Sequence, residues 1–377
     1  MTGGSGIHLF YVRFFQWISI AVSFEKEISQ CDDDFFFVCN KSTARIFIKE
    51  LGYAEGRIVD ESEVESFLNK RAERSVNVYV QASELGFSRE LTLVSPPALR
   101  AGQKDFFINV YPDGYTNKVY FGEKFSRLPL ENDYFHFGSV YTFDVPNNEA
   151  IHGFSKFRRK TVFSASLRNF TNLPRSIEAA EAAFREIEPY INGDLVVVML
   201  RPWGSEKFLQ GRFHLADGVI TFSSLLSDFI QKIVEEVGPH ASIGLRPDNR
   251  APQFCRDVIT ELSSGAGGHV FMVGENWPEW MTFEPFLEHF FNYFPNCRIH
   301  TVCLDSTGTL PFIARGMGAT HYVGFPSALI PEEHRNSDVF RMIREKVSVM
   351  RTHIDLIEGV DLSSEEIADG FFRVKIY

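Results

Sequence analysis

The sequence predicts an α/β protein with a strand-rich N-terminal half and a repeat-like C-terminal half. Short apolar runs follow one another from Phe24 to about Val162, and alternating helices and strands replace them after Asn172. In the C-terminal half, predicted strand centres recur at intervals of 27, 29 and 23 residues, at Ile243, Val270, Ile299 and Tyr322. This period is typical of a leucine-rich-repeat-like solenoid, although a doubly wound sheet has similar spacing. A Gly-rich phosphate turn would favour the doubly wound sheet, but the glycines of 264–268 precede a strand instead of following one.

We predict three parts along the chain: an apolar N-terminal segment over 1–24, a strand-rich α+β domain over 25–170 and an αβ repeat-like domain over 171–377. In the first part, small residues at Ala21-Val22-Ser23 leave a secretory signal peptide open. No positive charge precedes the apolar run, and Arg13 and Gln16 lie inside it. These residues favour an ordinary buried helix or strand and exclude a comfortable membrane span.

The strand-rich half has one predicted hairpin and one predicted helix. Phe106 to Tyr111 and Val119 to Phe121 are apolar runs joined through Pro112-Asp113-Gly114, a sequence typical of a tight turn. Glu61 to Arg74 carries apolar residues along one side, as a surface helix does. The basic run from Lys156 to Lys160 is interpreted as a solvated edge strand.

The C-terminal half begins with a helix at Ser176 and a continuous apolar strand over Leu195 to Leu200, a pattern typical of strands covered on both faces. A second helix begins at Ser223 or Ser224 and ends before Gly238, and a third opens at Pro252. Further helices are predicted near Val339 to Val347 and, from capping-box spacing, at Ser363 to Glu366. A final strand is indicated by Phe372, Val374 and Ile376.

The stretch from Gly268 to Gly308 reads as strand, helix and strand. Phenylalanines recur at helical spacing between Phe283 and Phe294, and Pro295 ends the helix. Thr282 is the predicted N-cap. Histidines His289 and His300 are interpreted as packed or hydrogen-bonded rather than as ligands.

Composition excludes several functions. A formal net charge of −11 argues against a nucleic-acid partner, which needs a basic face. The five cysteines show no CxxC spacing, so neither a disulfide framework nor a zinc site is predicted, and reduced thiols favour a cytoplasmic location. We predict no cofactor, no metal and no membrane partner.

The sequence predicts a protein-interaction site and no catalytic residue. No GxSxG or HExxH motif occurs. Trp277 and Trp280 flank Pro278 in a loop between the predicted strand and helix. Because tryptophan is frequent in binding hot spots, these three residues are the candidate contacts with a protein partner. A lid on the core is the other interpretation of the two tryptophans, and it is the favoured one.

The segment Val270 to Pro278 resembles a strand-Gly-x-Trp-Pro-helix unit of nematode F-box-associated proteins. The identities are Gly274, Trp277 and Pro278, and the layout extends over Leu195 to Phe325. The resemblance implies a leucine-rich-repeat-like C-terminal domain that recruits target proteins to a ubiquitin ligase. This chain departs from the pattern, since residues 1–40 show no F-box helices. The implied function is therefore a non-catalytic recognition domain.

An alternative function comes from Asp305 to Thr309, which follow an apolar strand. They resemble the Asp-x-Thr-Gly-Thr signature of haloacid-dehalogenase-like phosphotransferases. The resemblance implies that Asp305 is a nucleophile, with Thr307 placing the phosphoryl group and Mg²⁺ offsetting the charge. The later lysine and acidic pair of that family have no counterpart in this sequence. A turn residue or helix N-cap at Asp305 would account for the stretch from Asp305 to Thr309 equally well.

Overall fold

The structure, a computed structural model, is described over residues 6–12, 18–28, 34–39, 42–71, 75–81, 106–111, 135–142, 159–162, 168–199, 212–215, 218–238, 240–246, 252–265, 270–274, 277–278, 280–303, 320–324, 332, 362–368 and 371–376. The chain forms two compact units. Unit 1 comprises Met1–Ala179 and Pro278–His289, and unit 2 comprises Ala180–Trp277 and Phe290–Tyr377. The three-part division at residues 24 and 170 stays a prediction.

Unit 1 contains a seven-stranded sheet in which every neighbouring pair is parallel. Its strands are β1 (Ile7–Tyr11), β2 (Asp34–Cys39), β3 (Ile58–Asp60), β4 (Val76–Gln81), β5 (Phe106–Tyr111), β6 (Phe135–Thr142) and β7 (Arg159–Val162). The order is β3-β2-β1-β4-β5-β6-β7. The chain therefore moves outward from β1 in one direction and then returns to β4 and moves outward in the other, which defines a doubly wound sheet.

The helices of unit 1 cover a sheet whose two faces differ in composition. They are α1 (Ile18–Ile28), α2 (Ser42–Glu50), α3 (Val64–Asn69), α4 (Arg168–Thr171) and the start of α5 (Pro174–Ile187). One face is mainly aliphatic and includes Leu9, Val78 and Ile108. The other is aromatic, with the rings of Phe10 and Tyr79 stacked 4.3 Å apart. Both faces are buried, as parallel sheets require.

Three predictions for unit 1 have different outcomes. The predicted hairpin from β5 is wrong, because β5 pairs with the parallel strands β4 and β6 on its two sides. The proposed partner run Val119 to Phe121 lies outside the described residues. The apolar N-terminal segment contains a buried strand, β1, and a helix, α1, whose described side chains are buried. The end of the basic run forms β7, the last strand of the described sheet, as predicted for an edge strand.

Unit 2 contains a second seven-stranded sheet. Its strands are β8 (Leu195–Met199), β11 (Ser242–Arg246), β12 (Val270–Met272), β13 (Ile299–Cys303), β14 (Thr320–Gly324), β15 (Leu362–Ala368) and β16 (Phe371–Ile376), while β9 (Arg212–Leu215) and β10 (Gly218–Thr221) form a separate antiparallel pair. The order is β12-β11-β8-β13-β14-β16-β15. The first five strands in this order are parallel, and β16 is antiparallel to both of its neighbours.

The helices after β10 are α6 (Phe222–Val237), α7 (Pro252–Gly265) and α8 (Phe283–Tyr293), the last beginning in unit 1 and ending in unit 2. The predicted helix from Ser223 or Ser224 and the helix that opens at Pro252 are confirmed, the first with its start one residue earlier. The predicted final strand is confirmed as well and corresponds to β16. The predicted helix at Ser363 to Glu366 is wrong, since these residues lie in β15 and pair with β16. The helix predicted near Val339 to Val347 lies outside the described residues.

The strand order of unit 2 overturns the predicted leucine-rich-repeat-like half. In a solenoid each repeat contacts only its neighbours in sequence, so β12 would pair with β13. Instead β13 pairs with β8, at the centre of the sheet, and β12 is at its end. The fold class is therefore α/β with parallel sheets and helices, and the strand spacing came from helical crossovers in a doubly wound sheet.

Candidate functional site

In unit 2 the strand order reverses between β8 and β13. The connections leave these two central strands towards opposite sides of the sheet. Their carboxyl ends are neighbours, because Met199 and Cys303 are register partners. In open α/β sheets, such a reversal leaves a crevice outside the carboxyl ends of the strands, and ligands bind there. This carboxyl edge is the candidate site of unit 2.

Arg246 ends β11 directly beside the reversal. It is the register partner of Met199, the last residue of β8. The five parallel strands of this sheet end at Met199, Arg246, Met272, Cys303 and Gly324. Of these five described residues Arg246 alone carries a charge, and it is half-buried.

The Arg246 guanidinium lies on an aromatic ring. Its Cζ is 5.0 Å from the centre of the Trp277 ring, within the range of a cation–π contact. The chain after β12 places the indole there: Val273 N–H donates to the Leu245 carbonyl at 2.9 Å, and Trp277 N–H lies 3.4 Å from the Gly274 carbonyl. The turn between them brings Trp277 back towards the end of β11.

Gly274 makes this turn sterically feasible. Its φ of 86° is in the left-handed region that favours glycine. A Cβ at this position would collide with Nη1 of Arg246 and lie 3.0 Å from carbons of the Trp277 indole. The glycine therefore supplies both the backbone conformation and the space in which the guanidinium and indole meet.

The corresponding edge of unit 1 is different. The strand order there reverses between β1 and β4. The Tyr111 hydroxyl donates to the carbonyl of Tyr11 at 2.9 Å, and Val12 N–H donates to the carbonyl of Val38 at 2.8 Å. Tyr11, Val12 and Tyr111 are all buried and uncharged. The described part of this edge thus offers no cation comparable to Arg246.

A cleft of about 360 Å³ lies at the opposite, amino edge of unit 2, lined in part by Tyr293, Phe294 and Cys297. The Cys297 thiol donates to the Gly193 carbonyl at 3.0 Å. Burial, reinforced by the charge of Asp194, raises the pKa of this thiol to about 11, so it is a poor nucleophile at neutral pH. None of the described residues that line the cleft carries a charge.

Two histidine pairs are structural. Ser176 Oγ and His289 Nε2 are hydrogen-bonded at 2.9 Å, which resembles a nucleophile and its base. Ser176 is fully buried, however, so a substrate cannot reach it, and burial lowers the pKa of His289 to about 4. His300 Nε2 lies 3.4 Å from Asp194 Oδ2, and burial lowers its pKa although the carboxylate opposes this shift. The interpretation of both histidines as packed or hydrogen-bonded is confirmed.

The three predicted interaction residues do not form one group. Trp277 is 9% exposed and belongs to unit 2. Trp280 is 3% exposed and belongs to unit 1 with Pro278. The Trp280 indole N–H donates to Glu50 Oε2 at 3.0 Å. Contact of these residues with a protein partner stays a prediction.

Asp305 and Thr307 lie outside the described residues. Within the part of the chain that the structure describes, no three histidine, cysteine, aspartate or glutamate residues are grouped to hold a metal ion. Among the described helices, none is both long and apolar enough to cross a bilayer. The sequence reasoning missed Arg246, although a cation closing the apolar run Ser242 to Leu245 is a visible signal.

No protein-family model and no curated protein matches the sequence. The fold is similar to a structure described as a UDP-N-acetylglucosamine 2-epimerase from Listeria monocytogenes, with 12% identity, a TM-score of 0.45 and coverage of 94% of this chain and 91% of the other. It is also similar to an α/β-galactoside α-2,3-sialyltransferase from Photobacterium phosphoreum, with 8% identity, a TM-score of 0.47 and coverage of 93% and 97%. An S. aureus MnaA–UDP structure has 10% identity, a TM-score of 0.36 and coverage of 82% and 78%.

The predicted kinship with nematode F-box-associated proteins is wrong. No family model supports it, and the leucine-rich-repeat-like half is absent from the described fold. The same findings overturn the non-catalytic recognition domain that this kinship implied. The haloacid-dehalogenase-like alternative at Asp305 is not kept either, since no family model supports it.

Proposed function

We propose that the chain binds a nucleotide or nucleotide-linked substrate at the carboxyl edge of the unit 2 sheet. The observation that carries the proposal is the strand order, which reverses between β8 and β13. Doubly wound sheets with this order bind nucleotides in the crevice at the reversal, where helix N-termini and loop amides face the phosphates.

Two local features support unit 2 rather than unit 1. Arg246 provides a positive charge beside the reversal, whereas none of the described strands of unit 1 ends in a positively charged residue. The helix α7 begins at Pro252, six residues after Arg246, and the positive end of its dipole lies on the side of the sheet where β11 ends. Both features favour an anionic ligand.

Calorimetric titration of the full chain tests the proposal. The ligands are UDP, CMP, ADP and UDP-N-acetylglucosamine, which represents the sugar nucleotides, with free ribose as the control. We expect at least one nucleotide to bind with a dissociation constant between about 1 µM and 1 mM, the usual range of KM values. Chromatography of UDP-N-acetylglucosamine after incubation with the protein shows whether the bound nucleotide is also a substrate.

Amide hydrogen exchange then locates the ligand. We expect protection in peptides that contain the carboxyl ends of β8, β11 and β13 and none in peptides from the amino edge near Asp194. Absence of binding to every nucleotide at millimolar concentration overturns the proposal. Protection confined to the amino edge or to unit 1 overturns it too.

A cytoplasmic location is part of the proposal, since the nucleotide pool is intracellular and Cys39 and Cys297 are free thiols. Burial raises the pKa of Cys39 to about 12. Fractionation of cells that express the tagged chain tests the location, and recovery from the medium contradicts it.

A further inference from the structure

We propose that the cleft at the amino edge of unit 2 binds a neutral aromatic small molecule of two to three rings. This edge is opposite the one assigned to the nucleotide, so the proposal does not depend on the proposed function. The juxtaposition that supports it is a cleft of about 360 Å³ between two described connections, with Tyr293 and Phe294 in its lining.

Hydrogen bonds hold the two walls of the cleft in place. One wall comprises Ile191 and Gly193, just before β8, and the other comprises residues 293–297, just before β13. The Cys297 thiol donates to the Gly193 carbonyl at 3.0 Å and so joins the two walls. The Cys297 N–H donates to the Phe294 carbonyl at 3.1 Å, which closes the turn after α8. Because the walls are already ordered, a ligand loses little affinity to ordering them.

The two aromatic rings of the lining are packed from behind. The centre of the ring of Phe184, a fully buried residue of α5, lies 5.2 Å from that of Tyr293 and 5.7 Å from that of Phe294. The rings of Tyr293 and Phe294 are themselves 4.8 Å apart, and both residues are half-buried. Rings fixed in this way offer an apolar surface for another ring, and aromatic pairs are favoured beyond the area that they bury.

The chemistry of the lining favours a neutral ligand. Tyr293 and Asn296 carry neutral hydrogen-bonding groups, and none of the described lining residues is charged. The charge of Asp194 reaches the Cys297 thiol and raises its pKa, but Asp194 is not part of the lining. A charged ligand would lose water in the cleft without gaining an ionic partner, and the net charge of −11 repels anions in addition.

The volume limits the size of the ligand. An apolar cavity of about 150 Å³ holds one benzene ring, so a cleft of about 360 Å³ has room for two to three rings. Small-molecule sites commonly occupy about 300–1,000 Å³ and combine apolar and aromatic side chains with a few polar groups. The cleft therefore matches the smaller sites of this kind in both volume and lining.

The test is a fluorescence titration of N-phenyl-1-naphthylamine, a neutral probe, with the full chain. The comparison probe is 8-anilinonaphthalene-1-sulfonate, which has the same rings and an anionic group. We expect the neutral probe to bind with a dissociation constant on the order of 100 µM, the affinity that an ordinary ligand efficiency gives a molecule of about 17 non-hydrogen atoms. We expect the sulfonate to bind about 5-fold more weakly, because its charge has no partner in the cleft.

Ile191→Lys introduces a positive charge into the lining. We expect the affinity of the neutral probe to fall about 3- to 10-fold and that of the sulfonate to rise by a similar factor, so that the order of the two probes reverses. The matched control is Ile177→Lys, since Ile177 is an exposed residue of α5 that does not line the cleft. We expect this variant to leave both affinities within about twofold of the wild type.

Tyr293→Ala provides a second test if circular dichroism shows that Ile191→Lys does not fold. It removes one ring from the lining, and we expect the affinity of the neutral probe to fall about 10-fold. Tyr190→Ala is the control, because Tyr190 is exposed and is not part of the lining.

Reversal of the two probes in Ile191→Lys and not in Ile177→Lys supports the proposal. Absence of binding of the neutral probe at protein concentrations well above the expected dissociation constant overturns it. Unchanged affinities of both probes in Ile191→Lys overturn it too, as do equal losses in Tyr293→Ala and Tyr190→Ala. Because nucleotide binding is measured separately, none of these outcomes decides the proposed function.

Discussion

Gly193 lies where two backbone segments of unit 2 meet. A Cβ on this residue would be 2.9 Å from the carbonyl oxygen of His240, and neither backbone segment can move aside as a flexible side chain could. We expect Gly193→Ala to destabilise the protein by about 1–3 kcal/mol, the usual cost of forcing extra atoms into a packed region. Urea unfolding followed by circular dichroism measures the effect.

The control for this change is Gly56→Ala. Gly56 is exposed, its backbone is outside the left-handed region, and a Cβ there meets nothing within 4 Å. We expect the urea midpoint of Gly56→Ala to match that of the wild type. A Gly193→Ala midpoint equal to the control would mean that the segments separate at little cost.

His289 makes stability depend on pH. Its pKa is lowered from 6.5 to about 4 by burial, so the unfolded chain binds the proton more readily than the folded one. The stability that neutral His289 contributes is therefore fully present above about pH 6.5 and is lost as the pH falls from 6.5 towards 4. The full loss from this group is on the order of 3 kcal/mol, of which the part above pH 5.5 is about 1 kcal/mol.

The measurement is the free energy of unfolding at pH 7.5 and 5.5 for wild type, His289→Gln and His240→Gln. We expect the decrease to be smaller in His289→Gln and unchanged in His240→Gln, whose parent side chain is exposed. His300 contributes a decrease of the same sign in all three proteins, since burial lowers its pKa as well. Identical decreases in the three proteins would contradict the role of His289.

At the scale of elements, the pairing of β5 with β6 contains an irregularity that a side chain stabilises. The register shifts between Ile108 and Val110, and Asn109 fills the gap. Its Oδ1 accepts from Ser139 N–H at 2.8 Å, and its Nδ2 lies 3.4 Å from Asn77 Oδ1. The missing Cβ of Gly138 leaves room for the Asn109 carboxamide.

We expect Asn109→Ala to destabilise unit 1 by about 1–3 kcal/mol, because it removes the acceptor of a backbone N–H inside the sheet. Asn292→Ala is the control, since Asn292 is exposed on α8. Thermal unfolding of the two variants is the measurement. A melting temperature of Asn109→Ala equal to that of the control would show that another acceptor replaces the amide.

The helix α8 was predicted correctly from the sequence, but its N-cap was not. The phenylalanine spacing correctly predicted α8, because Phe283, Phe286 and Phe290 are buried together. The predicted N-cap fails, because Thr282 Oγ1 is buried and has no hydrogen-bond partner among the described residues, although the Phe286 N–H lies 3.4 Å from the Thr282 carbonyl. Periodicity reports burial, which the sequence encodes directly, whereas a cap depends on one side-chain rotamer.

Non-local pairing explains the larger errors. Ser363 to Glu366 have the spacing of a capping box, yet they lie in the strand β15 because they pair with β16. The intervals between β11, β12, β13 and β14 were read correctly, but spacing along the chain does not specify that β13 pairs with β8. For the same reason no pattern along the chain relates Arg246 to Trp277, which are adjacent only because β11 and β12 are paired.

At the scale of the whole molecule, each unit is assembled from two stretches of chain. Unit 1 takes Pro278–His289 in addition to its N-terminal stretch. Within unit 1 the ring of Trp280 packs against Phe170 with centroids 5.9 Å apart, and its N–H donates to Glu50. His289 is hydrogen-bonded to Ser176. The later stretch therefore completes the packing of the earlier one.

This arrangement predicts that a fragment of residues 1–179 does not form a stable unit. Without Pro278–His289, the surfaces that Trp280 and His289 cover are exposed, and burial of one large aromatic side chain alone contributes about 3 kcal/mol or more. We expect the fragment to bind a hydrophobic dye and to lack a cooperative thermal transition. Joining residues 278–293 to it through a flexible glycine-serine linker should suppress dye binding and restore the transition, and the same fusion with Trp280→Ala should do so less well. A cooperative transition in fragment 1–179 alone would show that the N-terminal stretch folds independently.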